Sequence, residues 1–217
     1  MSHLNLLPCT DSPAHASRCR DALNLPREQA AALGHSAVAA IEQGHFRNAA
    51  GEKVDWSAAV AAAVDAKCSL PPDAVLPAPS PPRFDAPQVQ VINETTLVAA
   101  RRLVDAGERV LALNFANGVH PGGGFLDGAR AQEEVLCRSS ALYATLRGDP
   151  MYAAHAERPR PDSSDWAILS PNVPVFRSDD GVALDAPWTV GFLTCAAPYA
   201  PAIGQPEAGD LLQQRIA

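Results

Sequence analysis

The sequence predicts a mixed α/β protein with a helical stretch ahead of its sheet. Two observations lead there. Strand and helix patterns alternate from Gln88 onward, and the apolar run Val110 to Phe115 ends in a polar loop, three consecutive glycines and an acid-bearing helix start. A run that stays apolar until Asn114 suits a strand buried on both faces. Strand-helix-strand order implies parallel pairing through a right-handed crossover, with ligands at the C-terminal ends of the strands. Asn114, Asn117 and the glycines fall at that end.

Taken in order, Met1 to Asn24 mixes Pro, Ser, His and Asp without a period and reads as an irregular lead-in. From Pro26 a helix is expected: Pro at its start, Glu28 and Gln29 in the first turn, Val38 and Ile41 on one face, and Gly44 as the stop. A second helix follows Asp55 as N-cap, with Trp56, Val60 and Val64 at four-residue spacing. Leu70 to Pro87 carries seven prolines, which neither continue a helix nor donate to a sheet. It reads as a semi-rigid connector, or alternatively as a rigid surface loop inside one domain. Residues 1–87 are therefore expected to be a helical extension plus connector, and 88–217 the main domain.

Val89 to Ile92 is the next strand, Asn93-Glu94-Thr95-Thr96 a cap, and Leu97, Ala100, Leu103 and Val104 the apolar face of a helix closed by Gly107. After the Val110–Phe115 strand, Leu136, Ala141, Tyr143 and Leu146 continue a helix opened by Gln132-Glu133-Glu134. Ala167–Leu169 and Val173–Phe176 are strand segments interrupted by Pro171 and Pro174, with Asp179-Asp180-Gly181 as a turn and Trp188–Cys195 as a further strand. Asp210 to Ala217 begins an amphipathic helix in which the chain stops, so the main domain reads as incomplete at its C-terminus.

The 217 residues are 47% hydrophobic and 19% charged, ordinary for a globular chain, and 17 basic against 24 acidic residues leave a net charge of −7. That balance argues against binding a nucleic-acid backbone through a broad basic surface. A polyanion would have to be held locally, by backbone N–H groups and single arginines. Cys9, Cys19, Cys68, Cys137 and Cys195 are odd in number and scattered, which indicates neither a disulfide framework nor zinc and fits a reducing cytoplasm. No segment reaches the ~18 apolar residues of a membrane span.

The chemistry concentrates between Asn114 and Glu134. Three glycines, Gly122, Gly123 and Gly124, have no Cβ to shield their backbone, so the chain can turn through positive φ and approach a ligand closely. Seven residues later, Glu133 and Glu134 stand at a helix N-terminus facing that bend. A dinucleotide fingerprint would instead place spaced glycines tight between strand and helix. His120 is a rim residue of the loop, and no ligand set for a metal accompanies it.

The spacing Gly-Gly-Gly, seven residues, Gln-Glu-Glu resembles the signature of the poly(ADP-ribose) glycohydrolases, and Asn-Phe-Ala-Asn with Pro-Gly-Gly-Gly-Phe-Leu is similar to their bacterial-type branch. The resemblance implies a macrodomain-like α/β/α sandwich with a mixed sheet, carrying an N-terminal helical extension. It also implies hydrolysis of ribose–ribose bonds without metal or cofactor, with poly(ADP-ribose), ADP-ribose and ADP-ribosylated proteins as partners and a monomer as the working unit. By that resemblance Glu134 is the catalytic acid, Glu133 orients a ribose, and Gln132, Asn114, Asn117, Gly122, Gly123, Gly124 and Phe125 bind substrate. Cleavage needs a proton for the departing oxygen and a water for the oxocarbenium-like centre, and one carboxyl can serve both steps in turn. The alternative is a binding module that recognises ADP-ribose ends without cutting them, which needs no carboxyl at Glu134.

Overall fold

A computed structural model describes residues 4–78, 80, 81, 86–158 and 163–198. In chain order these form strand β1 (Asn5–Leu6), helices α1 (Pro13–Leu23) and α2 (Arg27–Gln43), strands β2 (His45–Arg47) and β3 (Lys53–Asp55), helix α3 (Ser57–Ala66) and strand β4 (Cys68–Leu70). There follow β5 (Gln88–Val89), α4 (Thr96–Asp105), β6 (Leu111–Ala116), a 3-10 turn (Phe125–Asp127), helices α5 (Gln132–Ser139), α6 (Leu142–Leu146) and α7 (Pro150–Ala156), and the long strands β7 (Ala167–Arg177) and β8 (Ala183–Ala196). The expected helix at 210–217 lies outside the described residues.

Among the described residues the main sheet has the order β4-β7-β8-β6. It is mixed, as the sequence predicts: β7 runs antiparallel to both β4 and β8, while β6 is parallel to β8 from Leu111 opposite Gly191 to Ala116 opposite Ala196. Both parallel strands thus end together, and the loop after Ala116 opens beside Ala197. Prolines do not split β7. A bulge after Ser170, with Asn172 at φ 52, absorbs Pro171 and the strand continues.

The parallel pairing expected between the Val89–Ile92 strand and β6 is overturned. Strand β5 is two residues long and gives its backbone groups to β1, with Asn5 N–H on Pro87 O at 2.9 Å and Leu7 N–H on Val89 O at 2.8 Å. The parallel partner of β6 is instead the fourteen-residue β8, distant in sequence. Burial on both faces of β6 is corrected too: Ala112, Asn114 and Ala116 are buried, while Leu111, Leu113 and Phe115 are exposed among the described residues. One face packs on the core and the other does not, so burial alternates with the pleat.

Residues ahead of Gln88 enter the same core as those after it. Trp56 of the first stretch meets Phe176 of β7 with ring centroids 4.6 Å apart, and Phe46 meets both rings. Strand β4 adds an edge to the sheet through β7. Helix α2 starts and stops where Pro26 and Gly44 predict, with Gly44 at φ 70. The expected irregular lead-in contains α1: Ser12 caps it by accepting from His15 N–H at 3.1 Å, and Pro13 occupies the first turn, where its missing N–H costs nothing. The single helix expected beyond Gln132 is broken at Ser140. That residue turns extended, bridges to Val175 and lets Ala141 N–H reach Pro174 O at 2.9 Å.

Candidate active site

Helix α5 aims its first turn at the bend between β6 and the 3-10 turn. Glu133 is 3% exposed and hydrogen-bonded through both oxygens. Oε2 accepts from Asn117 N–H at 2.8 Å, and Oε1 accepts from Gly122 N–H at 3.2 Å and from Asn114 Nδ2 at 3.5 Å. Glu134 is also buried, but only Oε1 is held, by Gly124 N–H at 3.0 Å; Oε2 has no hydrogen-bond partner. Burial pushes the Glu133 carboxyl up to about 7, aided by the neighbouring charge of Glu134 and opposed by the hydrogen bonds from Asn117, Asn114 and Gly122.

The glycines act differently from the sequence reading. Their N–H groups are all engaged within the protein: Gly122 with Glu133, Gly123 with His120 O at 2.9 Å, and Gly124 with Glu134. What the missing Cβ atoms permit is the approach of the two carboxylates. Gly122 and Gly123 have φ of 77 and 57, and a Cβ on Gly123 would collide with Glu134 Oε1 and lie 3.1 Å from Glu133 Oε2.

Three residues expected to bind substrate have their side chains engaged within the protein. Gln132 has its whole amide bound to the protein: Oε1 accepts from Phe115 N–H at 2.9 Å, and Nε2 donates to Leu113 O at 2.6 Å and Thr96 Oγ1 at 3.1 Å. It clips α5 to the β6 backbone at Leu113 and Phe115. Asn114 is 0% exposed and supports Glu133 from below, with its Nδ2 also 3.2 Å from Thr194 Oγ1. Phe125 is buried under Gly122 and packs against Tyr143 with the rings tilted by 53° and centroids 4.9 Å apart, which shapes the loop from inside. Asn117 stays at the mouth, but its Oδ1 is taken up by Val119 and His120 N–H, each at 2.9 Å.

The loop is clamped from α2. Gly34 of that helix lies so close to the turn that a Cβ there would sit 2.6 Å from Phe125 O. Arg27 Nε donates to Asp127 O at 2.8 Å, and Arg130 Nη1 to Leu25 O at 2.7 Å. The sequence reading missed His155. Its Nε2 accepts from Ser164 N–H at 3.2 Å, so Nδ1–H is left to donate to Gly118 O at 3.1 Å. His155, Ser163, Gly118, Asn117 and Pro198 line a cavity of about 380 Å³ at the shared end of β6 and β8. Nothing local marks His155, since its partner Gly118 is 37 residues away in the chain.

The family description "microbial-type PARG, catalytic domain" matches residues 34–178, a span holding both glutamates and the glycine bend. This chain belongs to that family. Among solved structures similar to this PARG-family chain is poly(ADP-ribose) glycohydrolase from Thermomonospora curvata bound to the inhibitor ADP-HPD, 42% identical, with a TM-score of 0.78 over 87% of this chain and 70% of that one. A second structure of poly(ADP-ribose) glycohydrolase from Thermomonospora curvata gives 0.73 at 42% identity over 82% and 67%. Poly(ADP-ribose) glycohydrolase from Deinococcus radiodurans in complex with ADP-ribose gives 0.52 at 42% identity over 57% and 50%. A comparison with the curated proteins gives no match. The fold class, the family and the glycosidase class expected from the sequence are the ones found.

Proposed function

We propose that this PARG-family chain cleaves the ribose–ribose O-glycosidic bonds of poly(ADP-ribose), releasing ADP-ribose, and that Glu134 is the carboxyl that carries the reaction. One observation supports the assignment above the others: of the two adjacent carboxyls, Glu133 has both oxygens tied down, whereas Glu134 keeps one buried oxygen unpartnered beside the bend. Protonated Glu134 gives its proton to the departing ribose oxygen, and the resulting carboxylate takes a proton from the water that attacks the oxocarbenium-like carbon. Glu133, held on three donors, orients a ribose hydroxyl. Its elevated affinity for a proton near neutrality limits repulsion between the two groups when the polyanion arrives.

The N–H groups of the glycines are engaged within the protein, so the phosphates must find other donors. The cavity lined by Asn117 and His155 meets the site at Asn117, whose N–H holds Glu133, and is a natural extension for the rest of an ADP-ribose unit. We place the chain in a reducing cytoplasm, as a monomer acting on the polymer and on ADP-ribosylated proteins. Its five cysteines are free, and among the described residues no helix is long and apolar enough to cross a membrane.

The decisive experiment incubates poly(ADP-ribose) with the wild-type chain and with Glu134→Gln, and follows polymer length and free ADP-ribose. Shortening by the wild type alone is expected. Equal persistence of polymer with both proteins leaves only an ADP-ribose reader.

A further inference from the structure

Behind the catalytic helix lies a charge that the mechanism above does not use. Arg138 is 1% exposed, and its Nε and both Nη atoms have no hydrogen-bond partner. An unpaired guanidinium is costly to bury, so its place needs a reason beyond packing. Arg138 stands one helical turn after Glu134, and helical side chains lean toward the N-terminus, so its stem lies over the turn that carries that carboxyl. Burial disfavours its charged form, and the Asp179 and Glu134 carboxylates oppose that by favouring it.

Asp179 belongs to the turn between β7 and β8 and is itself buried. Thr95, the cap of α4, donates its hydroxyl to Asp179 Oδ2 at 2.5 Å, while Oδ1 has no partner. Glu134 Oε2, Asp179 Oδ1 and the three nitrogens of Arg138 are thus buried polar atoms of opposite charge, none of them hydrogen-bonded. The backbone beneath is fixed: Arg177 Nη1 donates to Arg138 O at 3.1 Å, anchoring the end of α5 to β7.

We propose that Arg138 is a positioning residue for the hydrolysis, its buried guanidinium, one helical turn from Glu134, favouring the carboxylate in the half-reaction that deprotonates water. The proposal rests on the reading of Glu134 as acid and base. The charged groups acting on this guanidinium are Glu134 on α5, Arg130 ahead of it and Asp179 on the β7–β8 turn, with Arg177 of β7 on the Arg138 carbonyl; Glu133, Cys137 and Asp180 act on those carboxylates in turn, and Glu133 on Tyr152 of α7. None of them supplies a second cation on the helix itself.

The test is steady-state hydrolysis of poly(ADP-ribose) across pH, with kcat and KM measured separately, for the wild type, Arg138→Met and Arg138→Lys. Removing the cation makes the carboxyls hold their protons to higher pH. The Met variant should lose about tenfold or more in kcat with KM changed less than about threefold, and its alkaline limb should move up by about one pH unit. Lys keeps the charge and should keep the limb. A folded Met variant with an unmoved limb overturns the proposal even if its rate falls, because a scaffolding role moves the rate alone. Should the Met variant not fold, the Lys variant decides: a limb that stays supports the proposal, and one that rises by about a unit overturns it. A wild type that leaves the polymer intact overturns the hydrolase reading together with this one. An active wild type with an unmoved limb in the Met variant overturns this inference alone.

Discussion

Gly123 and Glu134 occupy space that admits no atom between them: any side chain at the glycine would displace the Oε1 oxygen that Gly124 N–H holds. Gly123→Ala also forces a side-chain-bearing residue to φ 57, a conformation costing about 1 kcal/mol. We predict a fall in single-turnover rate of about a hundredfold, because a small misplacement of a reacting group is expensive in rate. Thermal unfolding of the same variant should shift only slightly.

Glu133 makes stability depend on pH in an unusual direction. Its carboxyl titrates near 7 when folded, above the ordinary carboxylate range, so the folded chain binds the proton more tightly than the unfolded chain. Stability from this group is full at low pH, below the unfolded value, and is lost as pH rises to about 7. The loss is of order 3 kcal/mol between those limits. Chemical denaturation at pH 5 and pH 8 should reveal this slope, and Glu133→Gln should flatten it.

The Gln132 amide links α5 to the β6 backbone and to Thr96 through three hydrogen bonds. Gln132→Ala should therefore destabilise the fold by roughly 2 to 3 kcal/mol, at about 1 kcal/mol for each bond. Hydrogen exchange at the Phe115 amide should accelerate selectively. Unchanged protection there would remove the clamp from the account.

Gly34 transmits the position of α2 to the bend. A methyl group in Gly34→Ala would press on the Phe125 carbonyl and push the helix off the 3-10 turn. Both stability and kcat should fall, by about 1 to 3 kcal/mol and roughly tenfold. Gly51→Ala, where nothing lies within 4 Å but φ is 82, should cost about 1 kcal/mol of stability from the backbone alone and leave kcat unchanged.

Local signals place several elements. Asp55, expected as the N-cap of α3, instead ends β3 and leaves Trp56 as the cap, but others hold. Pro26 and Gly44 bracket α2, Thr95 accepts from Val98 N–H to start α4, and the chain turns at Asp179-Asp180-Gly181. Pairing over distance was not legible. Two residues of β5 look no different whether they join β1 or β6, and the short β4 carries no mark of its place beside β7. In the site, the proximity of the glycines to the two glutamates was legible from their spacing. That Gln132, Asn114 and Phe125 face the protein was not, because an amide that binds backbone and one that binds a sugar are the same residue in a sequence. Ser12-Pro13 held a usable helix-start signal that the surrounding polar residues obscured.

The alternation along β6 makes the site sensitive to length. Asn114 points in beneath Glu133 while Phe115, 64% exposed, points out. Because neighbouring side chains on a strand take opposite faces, deleting one residue ahead of Asn114 would bring Phe115 into its place. A benzyl group would then stand under the carboxyl pair and a carboxamide would face the water, so the frame of this six-residue strand is as much a part of the chemistry as the acids themselves.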